Sequence, residues 1–424
     1  MVSIAFISRN FFALGAFALL YGNASFSQEV ESLTLDDAVR IAEERSQALV
    51  ADDATASAAR EMAVAADQAP DPILKAGINN VPIDGRDAYS LTNDFMTMRS
   101  VGLARELTRH DKRDARAARY VREAEAAEAA RTVALADLRR DTAMAWLERY
   151  YRDRAREVLI RQRDQAALQI EAADLSFRSG LGSQSDLFAA RVSLSEIDDR
   201  LAEAARDGEI AMTKLARWIG QEARRPLAQP PPMINVPLAD ADLDGALTHH
   251  PGIALMLKQE EVAKAEVDIA RAAKRSDWTV EVTYSQRGPA FSNMMSLNVS
   301  KPLQWRQNQR QDREVAARVA TAEKMRAERE EETRSHVADA RALLQGWRAN
   351  RQRLERYDSA LLPLAAERTT AATTAYRGGK GTLGAVLDAR IAETDARVAY
   401  LKLQLETANI WAELNYLVPA HERE

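Results

Sequence analysis

Between Gly102 and Gly180 the chain contains neither a glycine nor a proline. The stretch is rich in Ala, Arg and Glu, side chains that lose little freedom in a helix, and nothing inside it would end one. At 1.5 Å per residue, a helix from about His110 to Phe177 is roughly 100 Å long, several times the radius of a compact domain. Such a rod cannot be buried in a globule, so the chain is expected to be an elongated body. Composition agrees, with only 17 Gly and 13 Pro in 424 residues and 6% aromatic side chains. With no Cys, disulfides, thiolate metal sites, Cys nucleophiles and a lipidated Cys are excluded. The net charge of −5 and the lack of any basic block argue against a nucleic-acid partner.

Residues 1–28 have the plan of a secretory signal. Arg9 supplies the positive start, Phe11 to Tyr21 the apolar run, and Ala24, Ser25 and Ser27 the small residues of a cleavage site, placed near Ser27. The apolar run is too short to span a bilayer, and no later run approaches the roughly 20 residues required. The mature chain is therefore expected to be exported without a helical anchor.

The remainder is written twice. Leu35-Asp36-Asp37-Ala38-Val39 answers Leu243-Asp244-Gly245-Ala246-Leu247, and Phe177-Arg178-Ser179-Gly180 answers Tyr376-Arg377-Gly378-Gly379; at one constant shift Arg191 falls on Arg390. The two repeats, 29–225 and 240–424, are separated by a Pro-rich connector, 226–239, centred on Pro230-Pro231-Pro232. Each is expected to hold a helix, two strands, a very long helix, a Gly-containing turn and a last helix. In the second repeat the long helix, about Asn308 to Tyr376, carries Leu343, Trp347, Asn350, Leu354, Tyr357, Leu361 and Leu364 at alternating steps of four and three, a coiled-coil seam. Gly346 and Pro363 are expected to interrupt it, with a bend near Ala360.

The strands have a different period. In Trp278-Thr-Val280-Glu-Val282-Thr-Tyr284-Ser apolar residues alternate strictly with polar ones, and Met295-Ser-Leu297-Asn-Val299-Ser-Lys301 repeats the pattern. Joined by a loop containing Gly288 and Pro289, the two form a hairpin long enough to cross an outer membrane, with Trp278 and Tyr284 as an interfacial aromatic girdle. In the first repeat Leu74, Ala76 and Ile78 alternate with Lys75, Gly77 and Asn79; the return strand, about Met98 to Leu107, places Arg99 and Arg105 on the same face as Val101 and Leu103. Periodicity alone also allows a soluble hairpin capping a coiled coil. Four strands cannot close a membrane barrel, so closure requires several chains.

With its two repeats of strand hairpin and helical hairpin, the whole mature chain resembles the outer-membrane factors of the TolC type. Ala69-Pro70-Asp71-Pro72, the run Ser90 to Met98 (SLTNDFMTM) and Asp111-Lys112-Arg113 are most similar to the heavy-metal (Czc and Cus type) branch. The resemblance implies a mainly α chain with membrane β-structure: a trimer whose copies contribute four strands each to a 12-stranded barrel, continued into the periplasm as an α-helical coiled-coil tunnel. It further implies a passive outer-membrane channel of a Gram-negative bacterium, partnered by a periplasmic adaptor and an inner-membrane RND pump and conducting heavy-metal cations. A drug-efflux or type I secretion duct is the alternative within this class; a soluble periplasmic coiled-coil scaffold is the alternative outside it.

No catalytic constellation and no cofactor site is expected. The five His residues lie at 110, 249, 250, 336 and 421 without helical ligand spacing, and His249-His250 reads as surface polarity. Met96, Met98, Met294 and Met295 could suggest Cu(I) ligation, but at strand starts they read as barrel-surface side chains. The helical turns carry more. Arg178, Gly180, Leu181 and Ser183 in one, and Gly379, Lys380 and Thr382 in the other, combine a helix-ending Gly with a hydroxyl N-cap. By resemblance these turns are the tips on which the adaptor docks and where the tunnel is held shut. The family's Tyr–Asp latch falls on Tyr376 and Asp186. A second, Arg–Thr latch falls on Gly381 and Ser185, so its Arg is missing. Of two constricting aspartates Asp388 is present, whereas Ala385 occupies the other position. A ring of like carboxylates would attract cations and repel anions.

Overall fold

A computed structural model describes residues 32–180, 182–236, 245 and 250–417; the expected signal segment and Leu181 lie outside them, as do His249, His421 and most of the Leu243–Leu247 counterpart of Leu35–Val39. Helices α1 (Leu35–Arg45) and α2 (Gln47–Asp67) precede strands β1 (Ile73–Asn79) and β2 (Met98–Leu107); α3 (His110–Arg178) and α4 (Gln184–Ile219) complete the first repeat. The second runs α5 (Pro251–Ala273), β3 (Trp278–Gln286), β4 (Met294–Ser300), α6 (Gln311–Arg356), α7 (Leu362–Arg377) and α8 (Leu383–Tyr416). The first repeat begins with two helices where one was expected, because Ser46 turns out of α1 and N-caps α2, its Oγ accepting from Leu49 N at 3.4 Å.

The uninterrupted rod is present: α3 is one helix of 69 residues. Helices α1, α2, α4, α5 and α8 all pack on it. The apolar core is concentrated at its middle, where Trp146 and Leu147 are fully buried among Leu33, Leu215, Ile219 and Ala412. The connector is fastened here. Leu33 pairs with Leu227 in a parallel bridge, Leu33 N donates to Pro226 O at 2.8 Å, and Leu33 O accepts from both Ala228 N (3.0 Å) and Trp146 Nε1 (3.2 Å). Trp411 Nε1 on α8 donates to Asn235 O at 3.1 Å, and the Arg149 guanidinium donates to Ala223 O. Every one of these bonds satisfies a group that burial would otherwise orphan.

Ion pairs tie the helices elsewhere along the rod. Asp53–Arg131 (2.8 Å) and Glu43–Arg139 (2.6 Å) join α1 and α2 to α3, Lys258–Glu125 (3.0 Å) joins α5, and Glu148–Lys214 (2.9 Å) and Arg163–Asp198 (2.6 Å) join α4. Most of these side chains are substantially exposed, so each pair adds little by itself and the set chiefly fixes helix register.

The second rod differs from the expected seam. Gly346 does not interrupt α6, where it packs beside Ile410 of α8; a Cβ there would make ordinary contact, 3.6 Å from Ile410 Cδ1. Pro363 has the predicted effect, and the helix widens into a π-turn over Tyr357–Leu361 because the ring removes one N–H and crowds the carbonyl four residues back. The extra residue rotates the following face by about 100°. Before the turn the seam holds: Asn350 Nδ2 donates to Glu406 Oε1 at 2.9 Å, and the Tyr357 ring lies 5.8 Å from that of Tyr400. At its end Leu361 and beyond it Leu364 are exposed, and Thr369 is buried in their place, its Oγ1 donating to Ala389 O at 3.2 Å.

His250 is not a surface residue. It N-caps α5, Nδ1 accepting from Gly252 N at 3.1 Å, and its ring lies 4.3 Å from that of His336 on α6. Burial, reinforced by His336, lowers its pKa to about 4. An unfolded histidine binds its proton near pH 6.5, so the stability present at neutral pH is lost as the pH falls from about 6.5 through about 4. The thermal midpoint, followed by circular dichroism, is expected to drop across this window. His250→Asn, which keeps the cap, should flatten the drop.

Candidate functional site

Two regions carry the features that point to function: the sheet at one end of the rods and the helical turns at the other. The strands form one antiparallel sheet in the order β1-β2-β3-β4. Register sets its faces. Leu74 opposes Leu103, which opposes Val282, which opposes Leu297; Ala76, Val101, Tyr284 and Met295 form the next row. One face is therefore apolar across all four strands, and its side chains are exposed, with Leu74 at 69%, Leu297 at 67% and Met295 at 77%. The opposite face is polar. Lys75 Nζ meets Glu281 Oε2 at 2.6 Å, Thr283 Oγ1 donates to Glu281 Oε1 at 3.2 Å, and Asn79 Nδ2 donates to Ser100 Oγ at 2.9 Å. β1 and β4 each pair on one side only.

Arg99 and Arg105 stand on the apolar face as the alternation foretold, and each lies towards an end of β2. Arg105 Nε reaches Pro70 O at 3.3 Å, beyond the first residue of β1. Trp278 opens β3 with Lys301 Nζ 4.9 Å from its ring centre, and Tyr284 stands six residues on, about 20 Å along the strand. The two aromatic residues thus stand towards opposite ends of the apolar face. Met294 and Met295 are consecutive in a strand and face opposite sides, an arrangement unsuited to joint ligation.

The motifs that carried the branch resemblance have local structural roles. In the run Ser90–Met98, Ser90 Oγ accepts from Asn93 N (2.9 Å), Asp94 Oδ1 accepts from Met96 N (2.8 Å), and Thr97 Oγ1 donates to Asn80 O (3.0 Å). The loop is held by its own side chains. Lys112 and Asp277, both nearly buried, pair at 2.5 Å and join the start of α3 to the start of β3, while Arg113 Nη1 donates to Asp67 O at 3.0 Å. Burial opposes ionisation of Asp277, but the hydrogen bonds from Lys112 and from Arg109 N outweigh it and hold the carboxyl below its usual range. Asp67, His110 and Asp114 place ligand atoms within 4.8 Å of one another on the water-facing side of this junction. The Arg113 side chain bound at Asp67 opposes a cation there.

At the other end the two turns are built alike. Gly180 (φ 73°) and Gly379 (φ 68°) adopt the left-handed conformation that ends each helix, and their N–H groups donate to Phe177 O and Tyr376 O at 3.0 Å. Ser183 caps α4, with Asp186 N donating to Ser183 Oγ at 3.1 Å; Thr382 caps α8, accepting from Ala385 N at 3.3 Å. Leu187, Ala190, Leu383 and Leu387 are buried together with Ala173 between the two hairpins, and the Tyr376 ring packs against them. Arg200–Asp395 (2.7 Å) crosses from α4 to α8.

Among the expected gate residues, Asp186 completes a capping box, its Oδ2 accepting from Ser183 N at 3.3 Å and also from Ser183 Oγ at 2.8 Å, and no hydrogen bond joins it to Tyr376 among the described residues. Ser185 and Asp388 are exposed, and Asp388 has no ion pair among the described residues. Arg178 pairs with Asp174 at 2.8 Å, and Lys380 is exposed. Sequence reasoning missed Gly182 and named Gly381 only as the position of the absent latch Arg; the repeat matches the two. Added Cβ atoms there would come within 2.7 Å of Ser176 Oγ and 3.1 Å of Tyr376 N, so the first position has no room for a side chain and the second has little.

No family model matches the sequence, and no curated protein matches it. Solved structures do. The chain is similar to the Campylobacter jejuni CmeC outer membrane channel (TM-score 0.75, 14% identity, covering 96% of this chain and 94% of that one). It is also similar to the outer membrane protein VceC from Vibrio cholerae (TM-score 0.71, 18% identity, 90% and 95% covered). A third similar structure is CusC, a protein described as undergoing conformational changes on folding and transmembrane channel formation (TM-score 0.70, 16% identity, 94% and 96% covered). At these identities the likeness establishes the fold, which is that of a TolC-like outer-membrane channel with strand hairpins and long helical hairpins.

Two substitutions test the site's construction. At Gly102 a Cβ would lie 2.6 Å from Thr283 Oγ1 and 2.8 Å from Val282 O, so Gly102→Val is expected to abolish the β2–β3 seam. Infrared spectra of the detergent-solubilised variant should lose strand absorption and keep the helical band. Ser183→Ala removes one cap and should lower stability by about 1 kcal/mol, read as a lower urea midpoint of tip unfolding.

Proposed function

We propose that the chain is the outer-membrane component of a tripartite efflux system in a Gram-negative bacterium, a passive duct for solutes delivered by an inner-membrane RND pump through a periplasmic adaptor. The observation that carries this reading is the sheet: one face apolar and exposed, the other polar, with both outer edges unpaired. Such a sheet can reside in hydrocarbon only if its edges are closed, because an unpaired backbone group there costs several kcal/mol. Among the described residues no helix is long and apolar enough to span a membrane, so the strands are the membrane-crossing elements of this reading.

Three copies would supply a 12-stranded barrel, and Phe188 and Val192 on α4 with Leu361 at the end of the π-turn and Leu364 beyond it offer apolar surface for contacts between neighbouring helices. The polar face, with Lys75, Glu281 and Ser100, would line the lumen. The turns at Gly180 and Gly379 would be the periplasmic tips, docking the adaptor through Arg178, Leu181, Ser183, Lys380 and Thr382.

Closure at the tips is assigned to Tyr376 with Asp186, and cation preference to a ring of Asp388 carboxylates; Gly381 and Ala385 weaken both devices. Heavy-metal cations are the proposed cargo, supported by the three short motifs. The duct reading is tested in planar bilayers, where Tyr376→Phe is expected to raise single-channel conductance and Asp388→Asn to reduce cation preference; unchanged currents would remove the gate assignment. Deleting the gene should lower the tolerated concentration of heavy-metal salts several-fold. Unchanged metal tolerance together with lost drug tolerance would assign the cargo to organic compounds instead.

A further inference from the structure

A groove of about 770 Å³ lies where β4 leaves the sheet, lined by Pro302, Leu303, Gln304 and Trp305 and by Glu106 and Thr279. Nothing among the described residues fills it. Trp305 is 87% exposed and Leu303 68%, the former the most exposed large apolar side chain among the described residues. Arg306, the next residue, is exposed and has no ion pair among the described residues, and the same holds for Asp71 just before β1.

We propose that this groove is an inter-subunit socket that receives the Ala69–Pro72 segment of a second copy of the chain, an inference that rests on the assembly proposed above. Topology supplies the first argument. β1 and β4 are the two free edges, and β strands throughout this sheet alternate in direction, so β4 of one copy meets β1 of the next in antiparallel fashion. Across an antiparallel seam, residues preceding one strand lie beside residues following the other. Residues 69–72 of one copy are thereby brought to residues 301–306 of its neighbour.

Chemistry supplies the second. Pro70 and Pro72 make a stiff extended segment with no N–H to leave unpaired, and proline rings are favoured ligands of exposed aromatic surfaces. Arg105 Nε holds Pro70 O at 3.3 Å, fixing the segment before it docks. Asp71, between the two prolines, and Arg306, beside the indole, are opposite charges that each lack an ion pair among the described residues, and docking pairs them.

The chain has no Cys, so introduced thiols report this contact alone. The full chain carrying Asp71→Cys and Arg306→Cys, purified in detergent and oxidised, is expected to give covalent dimers and trimers on denaturing gels, with neither single variant doing so. Trp305→Ala should lower the temperature at which the oligomer dissociates in dodecyl sulfate by at least about 5 °C, and Trp305→Phe should restore most of it. An oligomeric mass with no cross-link and an unchanged dissociation temperature would overturn the socket and leave the duct standing. Brominated phospholipid quenching lost more in Trp305→Phe than in Trp278→Phe would assign the indole to the bilayer and also overturn it. A monomeric mass would overturn the assembly itself.

Discussion

A backbone N–H or C=O facing hydrocarbon has no water to turn to, and in the proposed outer-membrane assembly that constraint organises this molecule. It explains why a sheet so small is attached to helices so long. Four strands with an apolar exterior cannot be stable alone in lipid, and α1, α2, α4, α5 and α8 gathered on α3 place most of the chain's folding energy elsewhere, around Trp146. The core around Trp146 is then the body that, in the proposed assembly, presents an unfinished sheet to its neighbours. The buried Lys112–Asp277 pair is the joint between these parts, binding the first residues of α3 to the first residues of β3.

The repeat is visible in structure as well as in sequence, and the halves diverge where their chemistry does. Gly180 and Gly379 share one backbone conformation, and Ser183 and Thr382 share one capping role. Pro363 has no counterpart in α3, and this single residue converts a continuous rod into two helices joined by a π-turn. The stripe of Leu361 and Leu364, which would have continued the seam of Trp347 and Leu354, is thereby turned outward. In a lone chain it is exposed; in the proposed assembly it is contact surface.

Much of this was legible beforehand because the informative signals were strictly local or strictly periodic. The bounds of α3 follow from an absence of helix breakers, and the two faces of β3 and β4 from alternation. Arg99 and Arg105 were correctly seen to share a face with Val101 and Leu103; their tolerance is explained by a fact no pattern contains, that they lie at the ends of β2. The illegible parts depend on distant neighbours. Gly346 resembles a helix breaker until Ile410 is seen beside it, and His250 resembles surface until His336 is brought over it from another helix. The Tyr376–Asp186 latch was inferred by resemblance; in the single chain Asp186 is held by Ser183, whose capping demand is satisfied within three residues.

The continuity of α3 has a mechanical meaning. From Trp146 at the waist to Arg178 at the tip the helix extends about 48 Å as a stiff arm pivoted near its middle. A rotation of only 5° about that fulcrum sweeps the far end through about 4 Å, comparable to the diameter of a partly hydrated ion. The two halves of the helix are nearly equal in length, so a rotation about the core moves both ends by similar distances in opposite directions without any bond in the arm having to break.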